Sequence, residues 1–154
     1  QILKLAILDN NQNLSNHINR TESFILSLNY LASIPSKDFK INVSITTYGE
    51  QNGVQNNTTV FQWSEQHFNK FKKGTEEVLK DVGTYNVEID VPRYILNSGT
   101  YKFSVGIDYA ANLYDFTDGI IFDLYDPGSS HSLKSGRSAG LLAIPLNWKE
   151  KKIS

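Results

Sequence analysis

Residues Gly99–Asn112 read GTYKFSVGIDYAAN. One parity, Tyr101, Phe103, Val105, Ile107 and Tyr109, is large and apolar; the other is Lys102, Ser104, Gly106, Asp108 and Ala110. Alternation of period two is the signature of a β-strand with one buried face. The outward set is unusual for a solvated face, which carries Lys, Glu and Thr. Here a single carboxylate stands among mostly short side chains, leaving room for something to lie against the sheet.

The same alternation recurs along the chain. ESFILSLNYLA (Glu22–Ala32) places Phe24, Leu26, Leu28 and Tyr30 on one face and Ser27 and Asn29 on the other. DFKINVSITTY (Asp38–Tyr48) turns Phe39, Ile41, Val43 and Ile45 inward, and Lys40, Asn42, Ser44, Thr46 and Tyr48 outward. Further strands are read at Gln1–Asp9, Asn57–Ser64, Gly83–Pro92, Asp118–Asp126 and Ala139–Trp148, separated by turn signals such as IPSKD, GEQNG, LNSG and DPGSS. A set of about eight short strands with little helical periodicity predicts an all-β fold, an antiparallel β-sandwich of immunoglobulin-like architecture. Ser64–Val82 lacks clean alternation and reads as a long loop or a short helical turn. Asp126–Gly140 is Ser- and Gly-rich and reads as a mobile loop.

Composition narrows the function classes. The 154 residues fit one domain large enough for a real core, and 40% hydrophobic content is that of a folded chain. A net charge of −1 gives no electrostatic footprint for nucleic acid. No apolar run reaches the length of a membrane span. The absence of cysteine removes disulfide and thiol chemistry. A chain that begins with Gln1 and contains no methionine reads as a single domain, 1–154, cut from a longer protein.

Candidate chemistry gathers on the outward parity. Ser27, Asn29, Asn42, Ser44, Thr46, Ser104 and Asp108 offer amide, hydroxyl and carboxylate groups, which match sugar hydroxyls that both donate and accept. Sugar rings also present apolar faces to aromatic platforms, for which Trp63, Phe61 and Tyr48 are the candidates. Short polar residues on a half-buried strand also serve simply as solvated positions, and tryptophans such as Trp63 and Trp148 are more often core or strand-end packing than platforms. The signal is collective: three strands present short polar groups with almost no Lys or Glu.

Other chemistry is sparse. Asp115, Asp118, Asp123 and Asp126 crowd one turn and the strand after it, where acidic residues cap backbone amides; no calcium-loop spacing is present, and no metal or cofactor is expected. Asp108 and Glu88 sit on outward parities of different strands, a carboxylate pair of the kind glycoside hydrolysis uses, but nothing marks them out from solvated charges. His17, His67 and His131 lie far apart in polar, loop-like segments, and no G-x-S-x-G elbow is present. NTT at Asn57 is a sequon by pattern alone.

One longer stretch, VPRYILNSGTYKFSVGIDYAANLYDFTDGIIFDLYD, combines a Pro and Leu before a Ser-Gly-Thr-Tyr strand opening, a long alternating strand, a YD turn and a Phe-containing strand. Together with GLLAIPLNW and the strands upstream, it resembles the carbohydrate-binding C-terminal domain of Wzt-type polysaccharide ABC transporter ATPases, over roughly Ile2 to Trp148. The resemblance implies a non-catalytic module that recognises O-antigen polysaccharide, often through a modified non-reducing end, and couples recognition to export. It also implies a sheet face as the binding surface, an upstream nucleotide-binding domain contacting the transporter's membrane subunit, and a cytoplasmic location at the inner face of the membrane. Family members can form homodimers by exchanging a C-terminal strand. No P-loop signature occurs in this chain. The alternatives are an accessory sugar-binding domain of a secreted protein and a purely structural immunoglobulin-like module.

Overall fold

A computed structural model describes residues 1–35, 39–51, 54–55, 57–64, 80–110, 112–128 and 147–154. The strands are β1 (Ile2–Leu8), β2 (His17–Asn19), β3 (Phe24–Ala32), β4 (Phe39–Thr47), β5 (Glu50–Gln51), β6 (Val54–Gln55), β7 (Thr59–Ser64), β8 (Gly83–Val91), β9 (Gly99–Tyr109), β10 (Asn112–Tyr125) and β11 (Asn147–Lys152). A four-stranded sheet runs in the order β1-β3-β8-β11 and a five-stranded sheet in the order β2-β10-β9-β4-β7; β5 and β6 form a small hairpin. Among the described residues all pairings are antiparallel except β2 with β10. The fold is an all-β sandwich.

Parity builds the core as the sequence dictates. β3 and β4 alternate buried and half-buried over most of their length, and β8 does the same from Tyr85. Leu26, Leu28, Val87 and Ile89 of one sheet and Ile41, Ile45, Phe103 and Val105 of the other are at most 1% exposed. Each such side chain contributes about 1.5–3 kcal/mol relative to exposure. That burial fixes which residues face outward.

Two strands open with the same tripeptide. Gly83-Thr84-Tyr85 starts β8 in one sheet and Gly99-Thr100-Tyr101 starts β9 in the other. The Tyr85 hydroxyl donates to the Asp81 carbonyl at 2.9 Å, and the Tyr101 hydroxyl donates to the Asn97 carbonyl at 2.7 Å. Each phenol thus reaches four residues back along the chain and ties the incoming segment to its strand, the geometry of a tyrosine corner. Gly83 is required by close approach: a Cβ there would meet the Lys152 side chain and the Ser154 carbonyl.

The edge strand β11 is held by more than its ladder. Glu150 pairs with Val87, whose side chain is buried, so the carboxylate turns toward the sandwich interior. There it accepts from the Tyr30 hydroxyl at 3.0 Å and from Lys80 Nζ at 3.3 Å, while Lys80 Nζ also donates to the Tyr30 hydroxyl at 2.7 Å. An inward charge satisfied in this way opposes a one-residue slip of the strand, because a slip would move Glu150 off its partners.

Several boundaries differ from the sequence reading. β10 begins at Asn112, not Asp118, because register shifts between Leu113 and Asp115 and between Thr117 and Ile120 break its alternation. The second irregularity contains Gly119 at φ +89°, where a Cβ would overlap the Phe103 carbonyl oxygen. His17 lies on a strand rather than in a loop, since β2 has only three residues and leaves no periodic signal. The closing strand is described from Asn147 to Lys152, past Trp148. His67, His131, most of Ser64–Val82, most of the Ser/Gly-rich stretch and 139–146 fall outside the described residues.

Gly119→Ala is expected to lower unfolding free energy by about 2 kcal/mol or more, combining backbone strain with the overlap, measured by urea denaturation. Burial pushes the Tyr101 phenol above its ordinary value of 10, against the opposing charge of Arg20. Burial raises Tyr85 as well, with Asp81 and Glu150 adding to the shift. Both phenols favour the neutral form in the folded state, so their contribution is intact below pH 10 and falls as pH rises through the folded values. Tyr101→Phe should cost about 1 kcal/mol at neutral pH and flatten the alkaline loss of stability.

Candidate functional site

The outer face of the five-stranded sheet is laid out in rows that cross β4, β9 and β10. Lys40 lies opposite Asp108, which lies opposite Leu113. Next come Asn42, Gly106 and Phe116, then Ser44 and Ser104, then Thr46, Lys102 and Ile121. On the far side, Ser64 and Gln62 of β7 pair with Asn42 and Ser44.

The first two rows hold the densest chemistry. Asn42 Nδ2 donates to Asp108 Oδ2 at 2.6 Å, which fixes both side chains across the β4–β9 pair. That bond uses one Asp108 oxygen and the Asn42 amide nitrogen, so Asp108 Oδ1 and Asn42 Oδ1 keep acceptor capacity. Gly106 is a flat step beside them: a Cβ there would sit 3.6 Å from Leu113 Cδ1 and 3.8 Å from Phe116 Cδ2. Phe116 is 55% exposed and Leu113 66%, a large apolar surface for the outside of a sheet. The arrangement is a hydrogen-bonding amide–carboxylate pair bordered by an exposed aromatic ring, which suits a ligand with hydroxyls on its edges and C–H groups on its faces.

Of the residues singled out from sequence, Asn42, Ser44, Thr46, Ser104 and Asp108 share this face. Ser104 is only 6% exposed, and the Thr46 hydroxyl is buried with no hydrogen-bond partner among the described residues. The face therefore presents Asn42, Ser44 and Asp108 more fully than the other two. Ser27 and Asn29 lie on the outer side of the opposite sheet. There the Asn86 amide donates to Asn29 Oδ1 at 2.8 Å and to Ser27 Oγ at 3.3 Å, so these two groups belong to a cross-strand ladder.

Trp63 faces inward opposite Val43, is 7% exposed, and its ring runs nearly parallel to that of Phe61 with centroids 6.1 Å apart. It packs in the core and is not presented on the outer face as a platform; Phe61 is buried with it. Tyr48 does reach the outer side, where Lys102 Nζ lies 6.0 Å from its ring centroid. Glu88 pairs with Ser27 in the four-stranded sheet, so Glu88 and Asp108 stand on opposite outer sides of the sandwich and form no carboxylate pair.

Aspartates in and just after β10 have local roles. Asp115 accepts from the Ile2 amide at 2.6 Å, and Asp126 from Arg20 and from the Gly128 amide, each at 3.0 Å. A cleft of about 380 Å³ runs between the facing edges of β1 and β10, lined in part by Lys4, Asp115, Phe116 and Ile120. Phe116 thus borders both the cleft and the outer face. Sequence reasoning missed Phe116, Leu113 and Ile121 because the two register shifts in β10 place them on one face without strict alternation. The signal available was the apolar spacing in NLYDFTDGII itself.

The architecture and the site together define an antiparallel β-sandwich with a polar and aromatic sheet face. A solved structure with this architecture is the C-terminal domain of Wzt, which matches with a TM-score of 0.61 over 84% of this chain and 74% of that one. Sequence identity is 17%, so the likeness is one of fold. No protein-family model matches the chain, and no curated protein sequence matches it.

Trp63→Ala is expected to cost about 3–5 kcal/mol, as for other large buried aromatics. Phe116→Ala should change stability by about 0.5 kcal/mol or less, as for an exposed position. Urea denaturation of the two variants measures both, and similar costs would contradict the assignment of one ring to the core and the other to the surface.

Proposed function

We propose that this domain is a non-catalytic polysaccharide-binding module that holds its glycan on the outer face of the five-stranded sheet. The observation that carries this reading is the Asn42–Asp108 pair set beside the exposed ring of Phe116 across Gly106. Hydroxyls of a sugar edge meet the amide and carboxylate oxygens, and the C–H face of the ring lies on Phe116. The fold likeness to the C-terminal domain of Wzt supports a glycan partner.

In this reading the module serves an ATP-driven exporter of O-antigen polysaccharide. It works on the cytoplasmic side at the inner face of the membrane, and the rest of its parent protein contacts the membrane subunit. A modified non-reducing end is the feature recognised. Pairing of two copies through exchange of the C-terminal strand is part of the same proposal, and β11, as the edge strand of its sheet, is the element to exchange.

Isothermal titration of the purified domain with the surface polysaccharide of its source strain tests the reading. Saturable binding is expected in the wild type. Asp108→Ala should weaken it about tenfold or more, the scale of losing one hydrogen bond to a charged group, and Ser44→Trp should abolish it by filling the face. Glu88→Ala, on the other side of the sandwich, should bind as the wild type does. No binding by a folded wild-type domain would overturn the reading in favour of a structural module.

A further inference from the structure

We infer that the polysaccharide is read along its length, through a second sugar subsite at the far end of the same sheet face; this rests on the binding reading above. Past Lys102 the outward parity of β9 continues to Thr100, whose hydroxyl donates to Asp123 Oδ1 at 2.7 Å. Asp123 pairs with His17 of β2, and the His17 ring stacks on Tyr125 with centroids 4.3 Å apart and planes 13° from parallel. Ile18 and Leu124, the residues between, are buried, so His17, Asp123 and Tyr125 all face outward with the Asn42–Asp108 group.

This end repeats the chemistry of the first in different residues. It has a carboxylate positioned by a neighbour's hydroxyl, and beside it a rigid aromatic surface, with Tyr125 38% exposed. The stack holds the Tyr125 ring in place before any ligand arrives, which lowers the ordering cost of binding. Asp108 and Thr100 are eight positions apart on β9, a span of about 26 Å at the rise of an extended strand. That distance accommodates several sugar units in a row, so one polysaccharide chain can engage both ends. Of the residues between, Ser104 and Gly106 are short, and the longer Lys102 lies toward the Tyr48 ring, with Nζ 6.0 Å from its centroid.

Two linked subsites make affinity depend on ligand length, because the second contact forms at high effective concentration once the first is made. The test uses the surface polysaccharide of the source strain, cleaved to disaccharide and hexasaccharide fractions that keep its native non-reducing end and titrated by calorimetry. The hexasaccharide is expected to bind at least about tenfold more tightly, the scale of one added aromatic contact. Tyr125→Ala should reduce that advantage by about tenfold, and His17→Ala, which frees the ring without removing it, should reduce it by less. Equal affinity for both fractions, or a length advantage untouched by Tyr125→Ala, would overturn the second subsite while leaving the binding reading intact. Failure of both fractions to bind would overturn both.

Discussion

The structure depends on one constraint: a β-strand cannot bury one face without committing the other. β9 lies at the centre of the five-stranded sheet, and Phe103, Val105 and Ile107 on it are essentially inaccessible to water. Their burial against the opposite sheet leaves Ser104, Gly106 and Asp108 no choice but to face out. β4 is bound by the same rule through Ile41, Val43 and Ile45. Asn42 and Asp108 meet because two hydrophobic registers are locked side by side, and a slip of one residue in either would exchange core and surface. The core is therefore also the device that assembles the candidate site.

The two outer faces of the sandwich spend their polar groups differently. On the four-stranded sheet, Asn86 bonds to both Asn29 and Ser27, and Lys149 lies 3.8 Å from Asp90. These groups bond across neighbouring strands, and the aromatic rings of that sheet, Phe24, Tyr30, Tyr85 and Trp148, are buried. On the five-stranded sheet, the Asn42–Asp108 bond stands beside exposed apolar side chains of β10, Leu113 and Phe116. Adjoining exposed apolar side chains rimmed by polar groups are the mark of an interaction surface. This contrast, rather than the mere presence of Ser and Asn, separates the two faces.

Much of this was legible in the sequence wherever alternation was unbroken. The inward sets of β3, β4 and β9 follow directly from period two, and with them the sandwich and the outward placement of Asn42, Ser44 and Asp108. Sequence could not say which sheet each strand joins, so Ser27 and Asn29 appeared to belong with residues that lie across the core. Trp63 was ambiguous because a large aromatic suits either a core or a platform, and its pairing with Val43 decides for the core. Phe116 was hidden for a different reason. Bulges shift parity locally, and the backbone at Gly119 that permits the shift leaves only a single glycine as its trace. His17 and Tyr125, close in space but 108 positions apart in the chain, are joined by a parallel pairing too short to leave a pattern.

The central claim, that a glycan lies on the outer face of the five-stranded sheet, is tested most directly by mapping contacts residue by residue. Amide resonances of the isotopically labelled domain should be followed by nuclear magnetic resonance during titration with fragments of the source strain's surface polysaccharide. The account predicts that the amides of Asn42, Ser44, Gly106 and Phe116 shift together and saturably, while those of Ser27, Asn86 and Glu88 stay in place. Shifts confined to the four-stranded sheet or to the cleft between β1 and β10 would contradict it.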